Sequence, residues 1–277
     1  MQKIKAITGK HELILSLIVL LLIASFMEFL YGSTILGLVF LFILILIMLK
    51  ISERTEERTR RPSLMALGSL IIVSVIAYNY LTQSSWGNLD AMVILFGSSL
   101  ILMNTKNSEI STIARFSAWM SLIFISSFFI LYSLPHAFGI PLPYYYGHYL
   151  ITLPIVSILK FLGLKVDTPS MRIIRVNGVE PIDLKIELSC FGWYSLLLAL
   201  STVISYNLTI KRIERRRLTF ILLTVTVAVY LTNLMRIAIL VTVAYFYGIK
   251  TMMIFHSHIG LILFAAVLMP IIYILIK

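Results

Sequence analysis

The segment KRIERRR at residues 211–217 places five basic side chains within seven positions, between two long apolar runs. Short loops that carry several lysines and arginines stay on the cytoplasmic side of a membrane. The segment therefore sets the direction in which the neighbouring runs cross the membrane, and the orientation of the other runs follows from it. We place residues 211–217 inside.

The apolar composition of the chain predicts its fold class. Of the 277 residues, 60% are hydrophobic, and the mean hydropathy is +0.99. Repeated apolar runs of this length are typical of helices that cross a bilayer, whose hydrocarbon core is about 30 Å thick. We predict an all-α polytopic membrane protein with about eight transmembrane helices. The eight runs lie at about 12–30, 33–49, 63–81, 89–103, 113–133, 188–206, 217–247 and 253–276.

The basic residues of the loops predict the orientation of these helices. The amino terminus and the 50–62 loop are basic, whereas the 82–89 and 134–147 loops contain no lysine or arginine. The positive-inside rule then gives a multi-pass protein of the cell (plasma) membrane with both termini cytoplasmic. A weaker run at 148–162 would move residues 211–217 to the outside if it crossed. We therefore predict a re-entrant or interfacial helix on the outer face.

A small β-hairpin is predicted outside the membrane, directly before the only cysteine, Cys190. Two β-prone segments, Met171–Val176 and Val179–Ile186, flank an Asn-Gly pair at 177–178. This arrangement is the strongest short-range signal of a hairpin. Pro181 restricts the second strand to an edge or to a bulge, because proline lacks the N–H that a central strand must donate.

The chain is predicted to contain two regions, one without motifs and one with them. Residues 1–112 form an N-terminal four-span region with no motif and no assigned role. Residues 113–277 form the predicted catalytic core, which contains the external insert 134–187. No internal repeat relates the two regions.

Three chemically capable side chains are expected at one depth of the membrane. Cys190 and His256 each begin a span from the outer side. Arg236 lies about 27 Å along the helix that starts inside near Leu218, at about 1.5 Å per residue. That distance places Arg236 near the outer end of a core about 30 Å thick. Together the three residues are candidates for catalysis at the outer face.

Neighbouring residues are candidates for a supporting role. Asn233 shares a helix face with Arg236, because the two are three positions apart. Gly260, four positions after His256, lets a neighbouring helix approach closely. His258 points to a different face from His256 and is the weaker candidate. Glu187 could orient a base, or it could be a solvated strand end.

Each main candidate also has a plainer interpretation. A lone cysteine in an apolar helix is most often an inert small hydrophobe. An arginine near the end of a span often extends its charged group to the interface. A histidine at a helix end is often an interfacial anchor. The residues taken singly therefore leave a functional and a structural interpretation open.

Charge and cysteine content exclude several classes of function. The formal net charge of +11 resides in short loops between spans, which is typical of a membrane protein and not of a nucleic-acid-binding protein. A single cysteine excludes an internal disulfide and a cysteine-based zinc site. No set of metal ligands is visible in the sequence. We expect no metal, no cofactor and no nucleic-acid partner.

Three short motifs in fixed order carry a family resemblance. They are Cys190-Phe-Gly192, Asn233-Leu-Met-Arg236 and His256-Ser-His-Ile-Gly260, with Phe264 beyond. With this order and spacing, roughly residues 150–277 resemble the exosortase/archaeosortase family of multi-span membrane cysteine transpeptidases. The usual serine after the cysteine is replaced by Phe191. The isoleucine- and arginine-rich composition favours an archaeosortase.

The resemblance implies cleavage of a carboxy-terminal sorting signal on exported proteins. Such a signal consists of a short motif, a transmembrane helix and a basic tail, and the new carboxyl end is passed to an acceptor, expected to be a membrane lipid. Cys190 would form a thioester with the substrate. Arg236 would stabilise the oxyanion. His256 would transfer protons.

Other functions remain open at the level of sequence. In a membrane transporter or channel, Arg236 and Asn233 would line a path, although transporters usually place such residues near the midplane of inverted repeats. A non-catalytic assembly protein would keep Cys190 as a structural residue. A plain protease would use the same thiol chemistry with water as the acceptor.

Overall fold

The computed structural model describes residues 62–83, 85–188 and 190–276. The predicted runs at 12–30 and 33–49, and the basic loop between the second and third runs, lie outside the described residues. The described chain forms two compact units, which are taken separately below. The first unit includes residues 62–126 and 201–218, and the second includes 127–200 and 219–276.

The first unit is built from helices. They are α1 (Pro62–Thr82), α2 (Asn88–Leu102), most of α3 (Ser108–Phe128) and part of α7 (Trp193–Thr209). Gly68 of α1 and Gly97 of α2 face each other so closely that a Cβ on either would overlap the other's main chain. Small residues let two apolar helices approach in this way. Asn107 caps α3 by accepting the N–H groups of Glu109 and Ile110 at 2.9 and 3.2 Å.

The second unit combines helices with a small sheet. Its helical elements are a π-helical turn (Phe129–Ser133), α4 (Leu134–Ala137), α5 (Leu142–Tyr146), a second π-helical segment (Gly147–Thr152), α6 (Leu153–Phe161), α8 (Arg215–Leu263), a third π-helical segment (Phe264–Leu268) and α9 (Met269–Ile276). The strands are β1 (Val166–Ser170), β2 (Ile173–Asn177) and β3 (Pro181–Lys185). The cysteine turn and most of α8 also belong to this unit.

The predicted hairpin is present and is extended by a third strand. The sheet is antiparallel in the order β1-β2-β3, so that β3 is an edge strand, as Pro181 indicated. Asn177 pairs with Pro181, and the turn therefore comprises residues 178–180 and not the Asn-Gly pair alone. Strand β1 was not predicted, because its sequence VDTPS contains a proline and has no clear β pattern. In the structure, a register shift interrupts its pairing with β2.

A sharp corner divides α8 at Gly248. This residue has φ 78° and ψ 177°, a conformation open to glycine and strained for other residues. The tip of the hairpin docks on the corner: the N–H of Val179 donates to the carbonyl of Tyr245 at 2.9 Å. The Glu180 carboxylate accepts the N–H of Ile249 at 2.8 Å. The corner falls between the predicted runs 217–247 and 253–276.

The core of the second unit joins the sheet to α6 and to the end of α8 before the corner. The largest cluster of buried apolar side chains is Ile151, Ile155, Val156, Leu159, Val166, Ile174, Val176, Ile186, Phe191, Ile237 and Val241. A smaller cluster, Leu240, Ala244 and Met252, contacts Ile182 and Leu184 of β3. The end of α8 before the corner is therefore apolar because the sheet covers it.

Three helical stretches of the described chain are long and apolar enough to cross a membrane. They are Ser63–Thr82, Ser108–His136 and Arg215–His256. Asn88–Leu102 and His258–Ile274 are shorter apolar helices. The described part of the chain thus agrees with a polytopic helical protein, whereas the count of eight spans stays a prediction. The stretch 142–161 is helical throughout, and its interfacial or re-entrant position also stays a prediction.

Candidate active site

Cys190 lies in a tight turn between the sheet and α7. The N–H groups of Cys190 and Phe191 both donate to the main-chain carbonyl of Glu187, at 2.8 and 3.3 Å. Helix α7 begins three residues after Cys190, at Trp193, so the cysteine lies in the turn that precedes this helix. The side chain is half-buried. A thiol in such a turn remains accessible to a substrate.

Phe191 anchors this turn to the second unit. The side chain is fully buried, and its ring lies so close to Gly147 that a Cβ there would overlap it. Tyr144 contacts the same ring edge-on, with centroids 6.1 Å apart. The residue that departs from the family pattern therefore fills a core position, and the neighbouring Cys190 packs against the edge of the same core while staying partly exposed.

Gly192 brings the cysteine turn against α8. It has φ +73°, and a Cβ at this position would lie 2.6 Å from Cγ of Asn233. Both the backbone conformation and the contact exclude any larger residue. Asn233 itself is buried, with 6% of its surface exposed. The first and second motifs predicted from sequence thus meet at this contact.

Arg236 lies at the centre of the predicted residues. A Cβ on Gly260 would lie 3.0 Å from Cζ and 3.1 Å from Nε of Arg236, so the guanidinium rests on the glycine. Arg236 is also close enough to Cys190 and to His256 for their charges to interact. The structure therefore brings elements of all three motifs together.

The corner at Gly248 explains why Arg236 meets Gly260. Arg236 lies twelve residues before Gly248 and Gly260 lies twelve residues after it. At about 1.5 Å per residue, each is about 18 Å from the corner along its own arm of α8. Since the two arms share the corner, they bring these residues to the same level.

The structure places the two weaker candidates in structural contacts. The Nδ1–H of His258 donates to the carbonyl of Ile254 on its own helix at 3.0 Å. The carboxylate of Glu187 binds Arg172 at 2.6 Å and Lys185 at 2.8 Å. The hydrogen bond from Lys185, together with the charge of Arg172, holds the pKa of the Glu187 carboxyl below its ordinary value.

Arg172 and Tyr144 contact each other next to the cysteine turn. Its guanidinium carbon lies 4.5 Å from the centroid of the Tyr144 ring, which is a cation–π contact. The same guanidinium pairs with Glu187, whose carbonyl holds Cys190. Sequence reasoning missed Arg172 and Tyr144, because only the tertiary fold brings these residues together.

A small cavity adjoins Arg236. Its volume is about 30 Å³, enough for one water molecule. The lining residues are Ser195, Val229, Thr232, Asn233, Arg236, Gly260 and Leu263. Thr232 was missed in the sequence, although it lies four positions before Arg236 and so shares its helix face.

No metal site is visible in the described part of the chain. Within residues 62–83, 85–188 and 190–276, no group of three or more histidine, cysteine, aspartate or glutamate side chains could hold an ion.

Comparison with protein-family models identifies the family to which the chain is similar. A family model described as Transmembrane exosortase (Exosortase_EpsH) matches residues 30–273. The match extends well beyond residues 150–277, to which the motifs had limited the resemblance. No curated protein and no solved structure matches the chain.

Proposed function

The chain belongs to the transmembrane exosortase family, and from this membership we propose that it is a membrane cysteine transpeptidase. Its substrates would be exported proteins with a carboxy-terminal signal made of a motif, a transmembrane helix and a basic tail. The acceptor of the new carboxyl end would be a membrane lipid. Family membership favours this enzyme over a transporter or a silent assembly protein.

The observation that carries the proposal is the position of Arg236. Its guanidinium rests on Gly260 of the third motif, and Asn233, one helical turn before Arg236, packs against Gly192 of the cysteine turn. A fixed cation beside a thiol favours the thiolate, which is the nucleophilic form. A structural cysteine needs no such neighbour. Placing an arginine inside a membrane span costs free energy, so such an arginine usually has a functional role.

The proposed reaction has two steps. In the first, the Cys190 thiolate attacks the scissile carbonyl, a C–S bond forms, and the C–N bond breaks as His256 protonates the leaving amine. In the second, neutral His256 takes a proton from the acceptor nucleophile, which attacks the thioester and releases the thiolate. Arg236 stabilises the oxyanion that forms on the carbonyl oxygen in both steps.

The test uses the purified full chain with a peptide that carries a complete sorting signal. Wild-type enzyme should form a covalent adduct seen by intact mass spectrometry, and Cys190→Ala should form none. His256→Ala should abolish processing of the peptide, whereas the matched variant His258→Ala should retain most of the activity. Cleavage by Cys190→Ala would overturn the proposal.

Hydrolysis is a second candidate for the second step. The Nδ2 of buried Asn233 has no hydrogen-bond partner among the described residues, and Asn233 lines the cavity that is large enough for one water. A water there would reach the site beside Arg236. Cleavage in H₂¹⁸O distinguishes the two acceptors: hydrolysis places ¹⁸O in the product carboxyl, and transfer to lipid instead adds the mass of the lipid.

A further inference from the structure

Strand β3 presents an edge with no partner among the described strands. The sheet order β1-β2-β3 pairs β3 with β2 alone. Pro181, Asp183 and Lys185 are exposed, whereas Ile182 and Leu184 are half-buried. An edge of this kind can pair with another extended chain.

The register shows which main-chain groups face outward from β3. The N–H of Ile186 donates to the carbonyl of Arg172 at 2.7 Å, so these two residues form a hydrogen-bonded pair. Pairs in an antiparallel ladder alternate between hydrogen-bonded and non-hydrogen-bonded. Leu184 and Ile182 are therefore bonded to β2, and the N–H and C=O groups of Asp183 and Lys185 point away from it.

The charged side chains of β3 are held away from the outer edge. Asp183 makes a two-pronged ion pair with Arg175 of β2, at 2.8 and 2.9 Å. Lys185 pairs with Glu187 of its own chain segment at 2.8 Å. Exposed charges often block a sheet edge against pairing. Here they are bonded to their own sheet and leave the edge open.

The direction of β3 connects this edge to the candidate nucleophile. The strand starts where the hairpin tip docks on the corner of α8, and it leads through Glu187 to Cys190. Arg236, beside Cys190, lies about 18 Å before the corner along α8. Strand β3 therefore descends from the corner to the level of the thiol.

We propose that the extended segment of a sorting signal, just ahead of its transmembrane helix, adds to β3 as a parallel fourth strand. This inference rests on the proposed function. A substrate that runs from the outer side into the membrane has the same direction as β3, and its carbonyl then arrives at Cys190. The partner is an extended peptide, recognised first by main-chain hydrogen bonds to Asp183 and Lys185.

The two faces of the sheet give this surface a side-chain preference. Alternate residues of an added strand point to opposite faces. One set would lie beside Ile182 and Leu184, which contact an apolar cluster. The other set would lie beside Asp183 and Lys185 on the charged face. The edge of β3 therefore favours a peptide in which apolar and polar residues alternate.

The experiment compares two electrophiles on the full-length protein in detergent. One is a chloromethyl ketone built on a peptide of alternating threonine and valine, about six residues long, which extends for about 20 Å. The other is chloroacetamide, which has no peptide chain. Both lose chloride as the thiolate of Cys190 forms a thioether. The rate of labelling at Cys190 is read by intact mass spectrometry.

The informative variants are Asp183→Pro and Asp183→Ala. Both remove the carboxylate that binds Arg175, but only proline removes the outward N–H, and no bond to β2 is lost. We expect Asp183→Pro to slow peptide labelling about three- to tenfold relative to Asp183→Ala, the effect of one hydrogen bond. Chloroacetamide should label both variants at the same rate. A peptide methylated at the N–H that would donate to the carbonyl of Asp183 tests the other bond to this residue on unaltered protein.

The outcomes separate this inference from the proposed function. If Cys190→Ala still processes a complete sorting signal, the proposed function fails. If chloroacetamide labels Cys190 but the peptide gains no rate, or gains the same rate in both variants, the edge is not a substrate site. A change of oligomeric state in Asp183→Pro alone would assign the edge to self-association and would also overturn the inference.

Discussion

Three glycines around the candidate site are required by the side chains that touch them. Gly147 makes room for the Phe191 ring, Gly192 for Asn233 and Gly260 for Arg236. A Cβ at each position would lie within 3.0 Å of its neighbour or overlap it. The placement of the catalytic candidates therefore depends on residues that have no chemistry of their own.

Replacing Gly260 by alanine should displace the Arg236 guanidinium by a few tenths of an ångström. Misplacement on this scale weakens oxyanion stabilisation, and we expect adduct formation to slow by about tenfold or more. The measurement is the rate of acyl-enzyme formation with a signal peptide. Gly87→Ala is the control, because its Cβ would make an ordinary contact 3.5 Å from Asp90. Equal rates in the two variants would contradict the proposed role of the contact.

Replacing Arg236 by lysine keeps the charge and removes the planar group that can donate two hydrogen bonds to one oxyanion. We expect a loss of about 2–4 kcal/mol of transition-state stabilisation, the scale of losing one oxyanion donor. Substrate binding should persist, since other parts of the signal supply most of it. The measurement is kcat and KM, determined separately. A kcat equal to that of the wild type would show that Arg236 does not stabilise the transition state.

The sequence predicted part of this site because the motifs preserve helix spacing. The Asn233–Arg236 pair and the place of Gly260 follow from positions three or four apart on a helix. The roles of Phe191 and Gly147 did not follow, since they depend on a contact across more than forty residues. Cys190 was expected at the start of a helix, but hydrogen bonds to Glu187 hold it in a turn before the helix begins.

At the scale of elements, the corner of α8 is capped by another part of the chain. A helix start normally uses the side chain of its own first residue to accept a free N–H. Gly248 has none, and Glu180 of the hairpin supplies the carboxylate to Ile249 instead. The hairpin and the two arms of α8 are thereby joined at one point.

Loss of this cap should destabilise the second unit. We expect Glu180→Ala to lower the free energy of unfolding by about 1 kcal/mol, the typical effect of a lost cap. Glu180→Gln retains an acceptor oxygen and should lose less. Thermal unfolding in detergent gives the comparison, with Asp167→Asn as a control because its ion pair with Lys160 is exposed. A Tm that is equal in all three variants would show that the cap contributes nothing.

Periodicity and turn signals predicted most helices and strands, but not the tertiary contacts made where these elements end. The apolar runs at 63–81 and 89–103 agree with α1 and α2 within a few residues. The break near 248 was visible, whereas its sharpness depends on the docked hairpin. Gly178 illustrates the difference: it was interpreted as a turn residue, and in the structure a Cβ there would overlap Tyr245.

At the scale of the whole molecule, α8 is longer than a bilayer is thick. From Arg215 to the corner it extends for about 50 Å, against a hydrocarbon core of about 30 Å. Its last part, which includes Leu240 and Ala244, packs against the sheet. A helix that begins inside at the basic loop would therefore project from the outer face, beside the sheet.

This topology is testable by chemical labelling on intact cells. In a Cys190→Ala background, Asn177→Cys should react with an impermeant maleimide, because the hairpin is predicted to lie outside and Asn177 is exposed. Arg212→Cys, in the basic loop, should react only after permeabilisation. The reverse pattern would invert the orientation and remove the argument that the candidate site lies at the outer face.

The docked hairpin also has a consequence for how the protein is made. Its strands leave the ribosome well before the corner that they cap, and chains fold progressively from the amino-terminal side during synthesis. With the predicted topology, the hairpin would already be translocated when residues 245–249 emerge on the same side. The last arm of α8, which carries His256 and Gly260, would then turn back on a capped corner, so that the candidate site would assemble only after the hairpin has docked.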